Sequence, residues 1–357
     1  MTRQPLRKVL IVFQQRPPIA DYLEREFNQR GIEVVKFYSD QNTWFDRWII
    51  NRLNKQLHNL RILPKQKNLF VNHPWAHRNY LNQKLWDIYQ QTKPDLCLAI
   101  RGMDIGLDAI ERMDCSKIAW WVEPETHIHE AIAEAQAFDW YFCMNQACVD
   151  AMKNASYPNT SYLPHAVSTQ DFFPIDGVLK RYDLCFVGKH SEKRQKFIEA
   201  ALQVTNNIVI YGPRWRERNL DNPKIRKLCL GQYISGSALN QLYNESKVVL
   251  NVTGWNGVSG SPPSGLNMRI LEVPATGTCL LTDGIRELSG VFKVGSQILV
   301  YEDEHELIDQ LDWALRHEEE REAVAKAGCN AVQNGHTYKT TLSQIIEIAD
   351  SLPHASN

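Results

Sequence analysis

Short apolar runs alternate along this chain with stretches whose apolar residues recur every three or four positions. That rhythm predicts a succession of strands and amphipathic helices. The run Val9-Leu10-Ile11-Val12-Phe13 predicts a first strand over 8–13. A helix follows at about 20–30, stopped by Gly31, and a strand at 32–37. Apolar residues at 45, 49, 53, 57 and 60 predict a helix over 44–63. A second helix, over 75–91, ends ahead of Pro94, which bars helix continuation. Further strands are expected at 95–100, 117–122 and 140–143.

The rhythm breaks over 161–180, where Pro164, Pro174 and Gly177 punctuate a segment without a period. It then resumes: strand 183–187, helix 191–203, strand 208–211, helix 237–245, strand 247–252. A Gly/Ser/Pro loop over 253–265 leads into a helix at about 266–275, then strands at 278–282 and 297–301. The last 55 residues read as mostly helical. Strands alternating with helices mean βα units and parallel sheets. The expected fold class is therefore α/β, with two Rossmann-like halves and a C-terminal helical segment. The expected boundaries are an N-terminal domain over 1–165, a linker over 166–180 and a second domain over 181–335. A terminal helical segment over 336–357 is expected to pack back toward the first domain. Where two such halves face each other across a cleft, ligands bind at the carboxyl ends of the strands.

Composition narrows the function classes. The chain has 357 residues, 43% of them apolar, enough to build full cores and exclude wholesale disorder. Its apolar runs stop at five or six residues, far short of the ~18 a membrane span requires. No h-region with a small-residue cleavage site follows the N-terminus, so a cytoplasmic location is expected. None of the eight cysteines forms a C-x-x-C pair, and several sit in apolar runs, as buried thiols do in a reducing compartment. A net charge of -1 argues against coating nucleic acid. That neutrality is a cancellation: residues 1–84 carry nine more basic than acidic groups, and residues 85–165 seven more acidic than basic. The basic surplus gathers in 44–67, with six Lys/Arg against one Asp. A basic amphipathic helix there suits peripheral contact with an anionic membrane, or an ordinary helix with solvated charges. Seven of the ten tryptophans precede residue 166. Trp120 and Trp121 alternate in a strand, which predicts one ring toward the cleft and one toward the core.

The candidate chemistry lies where strands end. Gly188-Lys189 with Arg194 downstream offers a glycine turn, a helix N-terminus and two cations to an anion. Neither G-x-G-x-x-G nor G-x-x-x-x-G-K-[ST] occurs, which disfavours a dinucleotide oxidoreductase and a P-loop enzyme. Tyr211, Gly212 and Arg214 close the next strand and suit a base or a phosphate. In the helix expected from 266, Asn267 and Arg269 near the N-terminus suit a diphosphate. Glu272, expected about two turns in, suits ribose hydroxyls. The plainer alternative is an exposed Arg269–Glu272 pair. Candidates for a general base are Asp104, Glu123 and His165. No D-x-D motif occurs, and Glu123-Pro124-Glu125 is too constrained a pair to suit magnesium, so no metal site is expected.

The segment Asn267-Met268-Arg269-Ile270-Leu271-Glu272, continuing through Gly277-Thr278 to Leu280-Leu281-Thr282-Asp283, resembles a signature of the CgeB-like (spore-maturation-type) glycosyltransferases. Four further pieces fit that family in order: Tyr162-Leu163-Pro164-His165-Ala166, Phe186-Val187-Gly188 with Arg194, Tyr243 to Asn251, and His336-Thr337-Tyr338. Together they span most of 160–340. The resemblance implies a GT-B fold and sugar transfer from a UDP-, GDP- or dTDP-type donor held by the second half. The acceptor, a saccharide, a lipid-linked saccharide or a protein, would bind the first half, as in polysaccharide biosynthesis, with no metal cofactor. With the strand-end readings above, the donor-binding candidates are Gly188, Lys189, Arg194, Tyr211, Gly212, Arg214, Asn251, Asn267, Arg269 and Glu272. Glu272 corresponds to the second glutamate of the E-x7-E pair of many retaining GT-B enzymes. Ser264 stands where the first would fall, and Thr341 where the family often has Arg, so retention or inversion stays open. A nucleotide-sugar epimerase and a non-catalytic nucleotide- or saccharide-binding protein remain alternatives.

Overall fold

The structure is a computed structural model. It describes residues 5–13, 18–39, 44–64, 67–70, 73, 76–100, 107–219, 222–255 and 262–352. The chain divides into two compact units. One holds the residues up to Leu163 together with those from Leu342 onward, and the other is Pro164–Thr341.

In the first unit six strands form one sheet: β1 (Lys8–Phe13), β2 (Glu33–Tyr38), β3 (Leu96–Ile100), β4 (Ser116–Trp121), β5 (Trp140–Cys143) and β6 (Thr160–Tyr162). Their order is β2-β1-β3-β4-β5-β6, and every pairing is parallel, with Val9 opposite Val34 and Leu96. Short Val/Ile/Leu runs suit such strands because both faces of a parallel sheet are covered. Val9 to Val12 and Leu96 to Ile100 are accordingly buried. Trp120 and Trp121 alternate as expected, yet both are fully buried, which corrects the expectation that one lines a cleft. The Trp120 indole donates to the Leu163 carbonyl at 2.9 Å, and Trp121 packs into the core cluster with Cys97, Ala99 and Tyr141.

The predicted helix over 44–63 is not one regular helix. It is a π-helical turn over Asp46–Ile50, an α-helix over Asn51–Asn59 and a closing turn. Strand β6 runs into the segment read as aperiodic, because three residues are too few to show a period.

The second unit repeats the architecture with strands β7 (Tyr182–Val187), β8 (Ile208–Tyr211), β9 (Cys229–Gly231), β10 (Ser246–Asn251), β11 (Cys279–Asp283) and β12 (Leu299–Tyr301). The order β12-β11-β10-β7-β8-β9 is again all parallel. Its switch point, where strand order reverses, lies between β7 and β10. There the two strands run side by side toward their carboxyl ends, with Phe186 opposite Leu250. Crevices at such points are where open α/β sheets bind ligands. Three helices close the chain: Glu304–Arg316, Glu318–Gly335 and Tyr338–Ser351. All eight cysteines are free, and seven of them are buried.

Candidate functional site

The carboxyl ends of β7, β10 and β11 are tied together by buried polar groups. Asn251, the last residue of β10, is fully buried. Its Nδ2 donates to Thr282 Oγ1 at 3.0 Å, and its Oδ1 accepts from Asn267 Nδ2 at 3.0 Å and Arg269 Nη1 at 2.6 Å. Its carbonyl accepts the Tyr301 hydroxyl at 2.8 Å. Beside it, Asp283 accepts from the Thr253 backbone N–H at 2.9 and 3.0 Å, the Thr253 hydroxyl at 2.9 Å and Lys193 Nζ at 3.0 Å. These three donor groups, in four contacts, give a buried carboxylate the charge-assisted partners it needs. Asn251, Asn267 and Arg269 were legible as site candidates. Asp283, Lys193, Thr253 and Tyr301 were not singled out, although Asp283 and Lys193 lie inside motifs that were.

The turn after β7 is built by contact between backbones. Gly212 sits at φ 154°, and a Cβ there would lie far inside contact distance of the Gly188 carbonyl, so only glycine lets the two turns meet. The Gly188 N–H donates to Tyr211 O at 2.8 Å, and its carbonyl accepts the Trp215 indole at 2.7 Å. Gly188 therefore spends its own N–H inside the protein. Arg194 is likewise an internal brace. Its Nε and Nη2 donate to Val252 O, both at 3.1 Å, and its Nη1 to Lys189 O at 2.8 Å. Ser191 caps the helix Glu192–Ala201 by accepting from the Arg194 N–H, which helps set that brace. Burial, with the Arg269 charge, lowers the Arg194 guanidinium to about 10. Lys189 and Arg214 are exposed and Tyr211 is half-buried.

The helix expected from 266 starts later, at Arg269, and runs only to Ala275, with Gly277 at φ 68° closing it. Glu272 thus falls in the first turn rather than two turns in, and it is buried rather than part of an exposed pair. Arg269 turns to Asn251 instead. Burial raises the Glu272 carboxyl to about 7, with Arg269 pulling it back down. Two polar atoms of the same segment are buried without a hydrogen-bond partner among the described residues: Asn267 Oδ1 and Arg269 Nε. Their bonding capacity is unspent at the strand ends. Ser264 stands before this helix, and its hydroxyl donates to Glu287 while the Gly265 N–H donates to the same carboxylate at 2.8 Å. Glu287, missed in the sequence because it lies 23 positions away, brings an acid to the place where Ser264 supplies none.

Of the candidate bases, Asp104 lies outside the described residues. Glu123 follows β4 in the first unit, where its carbonyl accepts from Asn145 Nδ2 at 3.3 Å. His165 lies in the second unit and is buried, which lowers its ring to about 4 and keeps it neutral at pH 7. Among the described residues no group of three His, Cys, Asp or Glu side chains is placed to hold a metal ion.

Residues 193–347 match the model of a family described as glycosyl transferase-like. They form a glycosyltransferase-like domain. It takes in Lys193, Arg194, Asn251, Arg269, Glu272 and Asp283, and so most of the polar cluster described above. No curated protein matches the chain. Solved structures resemble it over nearly its whole length. The Anabaena HepE protein in complex with UDP and glucose has a TM-score of 0.65 at 12% identity, covering 97% of this chain and 100% of its own. A glycosyltransferase from Rickettsia africae gives 0.66 at 12%, covering 96% and 98%. Sucrose-phosphate synthase from Thermosynechococcus elongatus gives 0.66 at 12%, covering 96% and 98%. At such identities the likeness establishes the fold, which is GT-B. With its glycosyltransferase-like domain in that fold, the chain is an enzyme of the glycosyltransferase class.

Proposed function

We propose that the protein transfers a sugar from a nucleotide-sugar donor to an acceptor hydroxyl, with the donor held by the second unit. The observation that carries this reading is the unspent hydrogen-bonding capacity of Arg269 and Asn267, both held on Asn251 at the sheet's switch point, with the buried Glu272 carboxyl in the same segment. The binding of UDP and glucose by the similar Anabaena HepE protein supports a nucleoside diphosphate as the leaving group. In the reaction the bond from the sugar anomeric carbon to the diphosphate oxygen breaks, and one to the acceptor oxygen forms. The acceptor hydroxyl gives its proton to a base, and the nucleoside diphosphate departs. Arg269, with Lys189 and Arg214 exposed at neighbouring strand ends, stabilises the leaving charge without a metal. Glu272 holds the ribose hydroxyls. Asn251, Arg194 and Asp283 position these groups from behind. The base comes from Asp104, Glu123 or His165.

A saccharide or lipid-linked acceptor binds the first unit, and peripheral membrane contact through 44–67 belongs to the same reading. Calorimetric titration with UDP tests the site: Arg269→Ala and Glu272→Ala are each expected to weaken binding by about tenfold or more, the range for a lost charge-assisted hydrogen bond. Unchanged affinity in both variants overturns the assignment.

A further inference from the structure

Of the twelve large apolar side chains exposed among the described residues, seven fall between residues 44 and 70. They are Trp44, Trp48, Ile49, Leu60, Ile62, Leu69 and Phe70, with Trp44 69% and Leu60 69% exposed. Scattered exposed apolar residues are ordinary, but a concentration in 27 consecutive positions marks an interaction surface.

The same segment is strongly cationic. Arg47, Arg52, Lys55, Arg61 and Lys67 are all exposed, and none makes an ion pair among the described residues. Arg52 lies 4.1 Å over the Trp48 ring, a cation–π contact at the surface.

Local hydrogen bonds fix this display. Asn54 is buried and grips the backbone of Leu69 from both sides: its Oδ1 accepts the Leu69 N–H at 2.7 Å, and its Nδ2 donates to the Leu69 carbonyl at 3.3 Å. Leu69 and Phe70 are thereby held against the helix Asn51–Asn59 with their side chains in solvent. At the other end of that helix the N–H groups of Leu60, Arg61 and Ile62 donate to Gln56, His58 and Leu57 carbonyls at 2.9, 3.1 and 3.0 Å. That turn sets Leu60 and Ile62 outward. Arg61 and Phe70 hold φ of 57° and 63°, conformations that residues other than glycine seldom take. The core gains nothing from an outward Phe70.

We propose that residues 44–64 and 67–70 form a docking surface for an anionic lipid bilayer. Tryptophan rings and short aliphatic groups suit the headgroup boundary, and unpaired Arg and Lys suit its negative surface potential. Among the described residues no helix is long and apolar enough to cross the bilayer, and the contact proposed is a peripheral one. The inference rests on the proposed function only for its purpose, to bring the enzyme to a lipid-linked acceptor.

The test is co-sedimentation of the full chain, without donor or acceptor, with vesicles of phosphatidylcholine alone or with about one third phosphatidylglycerol. Binding is expected to the anionic vesicles and to fall with salt. The paired variants W44S/W48S and R52E/K55E are each expected to weaken it at least about tenfold while melting as the parent does and keeping UDP affinity. Failure to bind anionic vesicles overturns the proposal, as does equal binding to both vesicle types. So does dimerisation through this face, seen in sedimentation velocity and lost in the same variants. Because no sugar chemistry enters the measurement, vesicle binding without UDP binding would fault the donor assignment alone.

Discussion

Glu272 places a carboxyl group where water barely reaches it, and its protonation couples to folding. The group is raised by burial from 4.5 to about 7, and Arg269 offsets part of the rise. Between those pH values the native state keeps a proton that the unfolded chain has lost. Stability therefore falls as pH rises through the window. His165 acts in the opposite sense. Burial lowers its ring from 6.5 to about 4, so the unfolded chain takes up a proton first and stability rises with pH across that range. The two slopes oppose each other between about 4.5 and 6.5, and above that only the Glu272 loss remains. Glu272→Gln removes that loss. In the nucleotide-free protein its stability relative to the parent should grow by up to about 3 kcal/mol from pH 5 to pH 8, read from urea unfolding at the two pH values. A difference independent of pH would mean that Glu272 is ionised in the folded chain. The sequence marked Glu272 but left an exposed pair with Arg269 open. It could not show burial, because burial depends on the length and entry angle of a helix that starts three residues later than its pattern suggests.

At the level of elements, the turns after β7 and β8 behave as one unit, since the Gly188 and Gly212 backbones touch and Trp215 bonds across. Gly212→Ala should force them apart and cost about 2–4 kcal/mol, measured by chemical unfolding. The same displacement moves the Lys189 carbonyl that holds Arg194, so UDP affinity should drop with it. Elements with strong patterns were legible: the apolar run at β1, the strand before Gly188, and Gly277 as a helix stop. Strand β9, three residues long, carries no period to read. Arg194 looked like a ligand because a cation after a strand-end glycine looks the same whether it faces solvent or folds back onto Val252. The tryptophan pair in β4 misled for a related reason. Alternation tells which residues share a face, but a parallel sheet is covered on both faces, so both rings are buried.

For the whole molecule the two-sheet organisation followed from the strand and helix rhythm, because each βα unit has a length and a breaker of its own. The order of the strands within each sheet did not, because it is decided by which helices cover which face. A ligand that binds only the folded chain raises its stability by mass action. UDP, GDP, dTDP and CMP at about 100 times their dissociation constants should each add about 2.7 kcal/mol if bound, seen as a rise in Tm. We expect one nucleoside diphosphate to do so and the gain to survive addition of a chelator. If none stabilises the protein, the transferase reading loses its substrate.

The free, buried cysteines turn the native state into its own reporter. Burial raises the thiols of Cys115, Cys143, Cys185 and Cys279 to about 12, leaving very little of the reactive thiolate. A thiol reagent in neutral buffer therefore waits for the chain to open. Cys97 and Cys143 lie in the first sheet and Cys185 and Cys279 in the second, so mass spectrometry of alkylated peptides would time the opening of each unit separately within one intact molecule.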